Sequence, residues 1–191
     1  MFSCFKSSFE APPALPEIPD FSAAGTLFTN RSHVLAAYQK DSSNPTVSGI
    51  GGKREGSETY METAMRETVE ELFGLNKVSY GLICKLAIVL KPLNVQKINS
   101  YVLVVYSFNE LEKIIETVRR EIKTSPVYLV FPKTVSDLVL KRVSDVHPAP
   151  EIMHLAILPI VKNSILDAEF VEDIRIVLKS DVLFRKTISL V

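Results

Sequence analysis

No charge of one sign prevails in this chain: 22 lysines and arginines meet 22 aspartates and glutamates over 191 residues. Without a net field, any attraction to nucleic acid has to come from a local patch. Long apolar runs are also missing. LAIVL from Leu86 and YVLVVY from Tyr101 are strand-sized, far short of the roughly 20 residues that cross a bilayer. Cysteine is scarce: Cys4 and Cys84 form neither a disulfide framework nor a metal-ligand spacing. The expectation is a reducing, intracellular setting, with Cys84 a buried thiol in an apolar strand. MFSCFKSS lacks the apolar core of a secretion signal, so a cytoplasmic location without membrane attachment is expected. Repeats and low-complexity tracts are absent. Glycine is sparse, seven in all, yet Gly49, Gly51, Gly52 and Gly56 fall within eight residues.

What is present suffices for one well-filled domain, at 47% hydrophobic and 23% charged. Residues 1–24 carry Pro12, Pro13, Pro16 and Pro19 and read as an extended arm before a single domain over 25–191. GTLFTN and SHVLAAYQ form a hairpin about Asn30 and Arg31, and TVSGI leads as a strand into the glycine cluster. Apolar runs at about 78–91 and 96–107 read as neighbouring antiparallel strands broken at Pro92. Residues 109–123 place Leu111, Ile114, Ile115, Val118 and Ile122 at helical spacing. VYLVF (127–131) reads as a strand, 133–145 as a helix, EIMHLAILPIV as a strand and 170–180 as a helix; the final SDVLFRKTISLV is ambiguous. This interleaving lacks the beat of a doubly wound sheet and points to an α/β fold with a mixed sheet and flanking helices.

The chemistry concentrates in GGKREGSETYMETAMRETVEELFG, residues 51–74. At about 100° per residue, Met61, Met65, Thr68, Val69 and Leu72 share one helix face. Arg66, Glu67, Glu70 and Glu71 fall opposite, as a carboxylate cluster presented outward. Glutamates at i, i+3 and i+4 repel one another, by a few tenths of a kcal/mol per exposed pair. A solvated acidic face is one reading. A hard divalent cation, Mg²⁺ or Mn²⁺, is the other, because it turns that repulsion into attraction. The glycine loop ahead of the helix favours the second.

The stretch resembles the signature of the Nudix hydrolases, G-x5-E-x7-R-E-U-x-E-E-x-G-U with U aliphatic. Gly52, Glu58, Arg66-Glu67 and Glu70-Glu71 match in register, six identities over 20 positions. Thr68 stands where an aliphatic residue belongs, and the closing Gly74 comes one residue late. The resemblance implies an α/β/α sandwich, here with a helical insertion at about 109–148. It implies hydrolysis of a nucleoside diphosphate linked to another moiety, with Mg²⁺ or Mn²⁺. Carried over, Glu67, Glu70 and Glu71 hold metal, Glu58 supports the site or adds a ligand, and Arg66 orients the carboxylates. Gly52 turns the loop toward phosphates, which Lys53 and Arg54 can also meet. The general base is Glu67 or Glu70, or Glu151 from outside the box.

A nucleotide-containing small molecule is the expected substrate, with capped RNA as the alternative. Arg119, Arg120 and Lys123 on one helix, followed by Lys141 and Arg142 on the next, are a candidate basic surface, diluted by Glu112, Glu116 and Glu121. A catalytically silent binding module and an interaction protein using the arm are readings from other classes. The intact set of carboxylates speaks against the silent module. Phe28, Tyr38, Tyr101 and Phe131 are candidates for stacking on a base. His33, His147 and His154 share no ligand spacing.

Overall fold

The computed structural model describes residues 16–39, 47–143, 151–160 and 170–175. Among the described residues seven strands form one mixed sheet: β1 (Ala23–Thr29), β2 (His33–Gln39), β3 (Val47–Ser48), β4 (Ile50–Lys53), β5 (Asn94–Ile98), β6 (Tyr101–Ser107) and β7 (Ile152–Pro159). The hydrogen-bonded path runs β3-β2-β1-β6-β5, with β4 joining β1 and β7 joining β2. Among the described strands only the β1–β6 pair is parallel; the other pairs are antiparallel. Strand side chains alternate between faces, so β6 sends Val102, Val104 and Tyr106 to one side and Leu103 and Val105 to the other. Helices α1 (Tyr60–Phe73), α2 (Tyr80–Val89), α3 (Phe108–Glu121) and α4 (Val135–Leu140) cover the first side. Phe170 and Ile174, from the helical residues 170–175, cover the second. The result is the expected α/β/α layering. No helix among the described residues is long and apolar enough to cross a membrane.

The expected strand at 78–91 is instead α2. A continuous apolar run has no period to read, and Ser79 caps it as a helix by accepting from the Leu82 amide at 3.3 Å. Leu82, Ile83 and Leu86 face the core, and Pro92 disfavours further helix. Cys84 therefore lies on a helix, half-buried, with its sulfur 3.7 Å from Glu62 Oε1. The second apolar run splits into the hairpin β5–β6, which turns at Asn99. VYLVF is a loop with two isolated bridges: Val127 and Tyr128 are buried, whereas Leu129 and Val130 face out. The helix expected at 133–145 is confined to α4. The expected helix at 109–123 is α3, and it lays Leu111, Ile114, Ile115 and Val118 on the core. The turn 41–45, His147, Cys4 and the tail 181–191 lie outside the described residues.

Helix α1 starts at a capping box, in which Thr59 and Glu62 satisfy each other's amides. It ends at Gly74, whose backbone is left-handed at φ 63°, and the Gly74 and Leu75 amides both donate to Glu70 O. This explains the late glycine: it is the cap of a helix one residue longer. The remaining carbonyls are met from elsewhere: Arg142 donates to Glu71 O and Leu72 O, and Ser125 to Phe73 O. A Cβ on Gly74 would lie 2.6 Å from Val127 Cγ1. Gly74→Ala is expected to lower unfolding stability by at least about 1–2 kcal/mol, the cost of a left-handed side chain. Urea unfolding of the two proteins measures it.

Candidate active site

Strand β4 and the loop after it run beside α1, so the glycine cluster and the glutamates meet edge to edge. A Cβ on Gly52 would overlap the carboxyl of Glu67. Only glycine leaves that space. The Gly51 amide donates to Glu71 Oε2 at 3.2 Å. Thr68, the departure from an aliphatic residue, is fully buried and shares a 2.8 Å hydrogen bond with Thr26 Oγ1 while donating to Ala64 O at 2.6 Å. Its hydroxyl is thus satisfied and costs the packing face little.

Arg66 organises the cluster. Its Nε donates to Glu58 Oε1 at 2.8 Å, and Nη1 donates to Glu67 Oε1 at 2.8 Å and Glu70 Oε2 at 3.0 Å. Nη2 donates to Lys53 O at 2.7 Å and Glu58 Oε2 at 3.2 Å. The picture of an outward-facing cluster needs correcting: Arg66 is only 6% exposed and Glu71 only 8%. The helix packs flank-on against β4, so Glu71 points into the protein and Arg66 lies under its partners. Glu67 and Glu70 stay partly open.

One cation cannot neutralise this many carboxylates. Burial, then the charges of Glu151 and Glu67, push Glu71 up to about 9 against the Gly51 amide and Arg142. Burial also raises Glu67 and Glu70, with Arg66 opposing. Glu58, although burial raises it, ends below the ordinary carboxylate value because Arg66, the Glu55 amide and Thr63 hydrogen-bond its anion. Burial opposes charge on Arg66 too, but Glu58 and Glu67 hold it firmly protonated. For Glu71 the linkage sign is clear: a raised folded pKa means stability is full below about 4.5 and is lost as pH climbs toward about 9. Metal-free protein is therefore expected to lose stability between those pH values. Glu71→Gln should flatten that slope, as read by urea unfolding across the range.

Glu151, the candidate from outside the box, is exposed at the entrance to β7 and close enough to raise both Glu67 and Glu71. The fold thus brings it to the box across 80 residues of chain. Lys53 is exposed, and its backbone carbonyl rather than its amine is what the cluster uses. Arg54 stacks on Phe21, 4.5 Å from the ring centroid, and donates to Pro19 O at 3.4 Å. Phe28 and Phe131 pack on Tyr106 and Phe73, and Tyr38 packs on His154. His33 bonds Ser32 at the surface. Arg120 pairs with Glu116 on exposed α3, and Arg142 belongs to no basic surface because it is 9% exposed. Among the described residues no three acidic, histidine or cysteine side chains converge as a finished cation cage. Glu67 and Glu70 are turned onto Arg66, and Glu71 onto Gly51. In kind, the residues fit a hard divalent ion: they are oxygen donors with surplus negative charge.

Beside Gly51 opens a cavity of about 580 Å³, lined among others by Gln39, Asn99, Ser100, Tyr101, Glu172 and Asp173. Its described lining has no lysine or arginine. Thr26, this cavity and the buried role of Arg142, read from the sequence as part of a basic surface, escaped the sequence reading. Arg142 gives no local signal, since its carbonyl partners in α1 lie 70 and 71 residues away.

No family model and no curated protein matches the chain. Solved structures do. One is a bifunctional NMN adenylyltransferase/ADP ribose pyrophosphatase from Francisella tularensis, complexed with AMP and a manganese ion: 15% identity, TM-score 0.46, 86% of this chain and 43% of that one. Another is a NUDIX hydrolase from Nitrosomonas europaea: 12% identity, TM-score 0.33, 90% and 87% covered. A third is a MutT/nudix family protein from Enterococcus faecalis: 11% identity, TM-score 0.33, 79% and 48% covered. The Nitrosomonas and Enterococcus proteins are Nudix proteins by description. The chain spans less than half the length of the Francisella protein. With overlaps this partial, the chemistry of the site rests on its own residues.

Proposed function

We propose that this chain is a Nudix-type hydrolase that cleaves a diphosphate linkage in a nucleotide-containing substrate. The observation that carries it is Arg66 gathering Glu58, Glu67 and Glu70 on one guanidinium, in the 52–71 register, with Glu71 beneath. Glu67, Glu70 and Glu71 would hold Mg²⁺ or Mn²⁺, with Glu58 as support. Bound there, the ion would supply charge neutralisation at phosphate oxygens and acidify a water. Arg66 would set the direction of Glu67 and Glu70 through its two Nη1 hydrogen bonds, so that orientation is supplied in advance. Glu151, exposed and near enough to disfavour charge on Glu67 and Glu71, would accept the water's proton. Gly52 would turn the loop toward the substrate's phosphates, and its missing side chain leaves room for the Glu67 carboxyl.

The cavity beside Gly51 favours a small nucleotide. Gln39, Asn99 and Ser100 offer amide and hydroxyl partners, and Glu172 and Asp173 accept from hydroxyls or amines while repelling phosphate. The uncharged end of the substrate would therefore sit there, and the diphosphate would point to α1. The test is a panel of nucleoside diphosphate sugars, dinucleoside polyphosphates and capped RNA, with Mg²⁺, with Mn²⁺ and with chelator. Metal-dependent turnover of a small member is expected. Turnover that survives chelator, or none on any member, would refute the proposal, and preference for capped RNA would move the substrate to the alternative.

A further inference from the structure

We infer that Arg142 is a positioning residue that fixes Glu151 against the carboxylates of α1. Its guanidinium is buried and spans two segments remote in sequence. On one side Nη1 donates to Leu72 O at 2.6 Å and Nη2 to Glu71 O at 3.0 Å. On the other, Nη2 and Nε donate to Ile152 O at 2.7 and 3.2 Å. One planar group thus ties the last turn of the carboxylate helix to the residue that follows Glu151. A lysine offers a point charge and cannot reproduce this fork.

The arginine is itself held. Tyr128 lies beside it, with Nη1 3.4 Å from the hydroxyl and the ring 5.8 Å from the guanidinium carbon, and the hydroxyl donates to Leu138 O at 2.7 Å. The Val143 amide donates to Val127 O at 2.9 Å. Short α4 and the loop before it thereby form a bracket between α1 and β7. A helix end needs only generic acceptor satisfaction, which water or a serine provides. A bracket from that end to the Glu151 strand constrains the distance between two chemical groups instead. This assignment rests on the hydrolase reading above and adds a residue outside the box to it.

The test is a double-mutant cycle on the panel member turned over fastest by the unmodified protein. Arg142→Met, and Arg142→Lys as the milder change, are expected to lower kcat about 10–100-fold, the usual cost of losing an outer orienting partner, with KM little changed. In a Glu151→Gln background the same changes are expected to cost almost nothing further, because they act through a group already disabled. Mn²⁺ binding followed by electron paramagnetic resonance should stay near that of the unmodified protein, since Arg66 still holds Glu67 and Glu70. Urea melts identify which variants are folded at the assay temperature, and Arg142→Lys carries the test if Arg142→Met is not. Losses that multiply in the Glu151→Gln background, unchanged kcat for the folded single variants, or lost Mn²⁺ binding would each overturn the assignment. An unmodified protein without turnover would instead sink the hydrolase reading, and this inference with it.

Discussion

Glu70→Gln is expected to lower kcat by about two to three orders of magnitude, the scale for losing one strong electrostatic stabiliser in a site. The fold should survive. Glutamine keeps the shape, and burial already disfavours the charged carboxyl there, with Glu55 and Glu58 adding repulsion. Removing that charge leaves Arg66 still bonded to Glu58, Glu67 and Lys53 O. The helix also keeps both ends, the Thr59–Glu62 box and the Gly74 cap. A large loss of rate with a small change in stability therefore separates a ligand from a structural carboxylate. Kinetics at saturating Mn²⁺, Mn²⁺ affinity and a urea melt together make the measurement. Near-normal kcat and unchanged Mn²⁺ affinity would remove Glu70 from the metal set.

The largest loss of stability should come from the other side of the same contacts. Arg66→Met is expected to cost about 3–5 kcal/mol at neutral pH, the range for breaking a buried ion pair by removing one partner. Methionine fills the stem's volume but leaves Glu58, Glu67 and Glu70 without the cation that opposes their desolvation. The carbonyl of Lys53 also loses its 2.7 Å donor. With Arg66 gone, the folded-state pKa of these glutamates rises. A raised folded pKa gives stability that is full below the unfolded value and lost as pH climbs, so the deficit should be smaller at pH 4.5, the ordinary glutamate value, than at pH 8. Mn²⁺ should recover part of it at the higher pH. Urea unfolding at both pH values, with and without Mn²⁺, reads this directly. A deficit below about 1 kcal/mol, typical of an exposed ion pair, would mean that Arg66 is a surface contact.

Where the chain carried a period or a fixed register, its structure was legible in advance. Helix α3 declares itself through Leu111, Ile114, Ile115 and Val118, and α1 through the separation of its methionines from its glutamates. Residues 78–91 carried no period, and their helix follows from Ser79 and from the core that Leu82, Ile83 and Leu86 enter. The outward reading of Glu71 failed for a related reason. A helical projection gives angles about one axis, but β4 packs against the flank of α1 and takes Glu71 with it.

By itself the sequence determined which groups are available: the six matched identities from Gly52 to Glu71, the helix that spaces them, and, within residues 51–74, a local surplus of carboxylates over cations. Spacing within a single helix is a local property, so no tertiary partner is needed to read it. The tertiary structure alone decided that Glu151 comes near enough to disfavour charge on Glu67 and Glu71, that Thr68 meets Thr26, and that Arg142 bridges α1 to β7. Each of these contacts with α1 joins residues 42 or more positions apart, and no local periodicity records which distant carbonyl a buried guanidinium will reach.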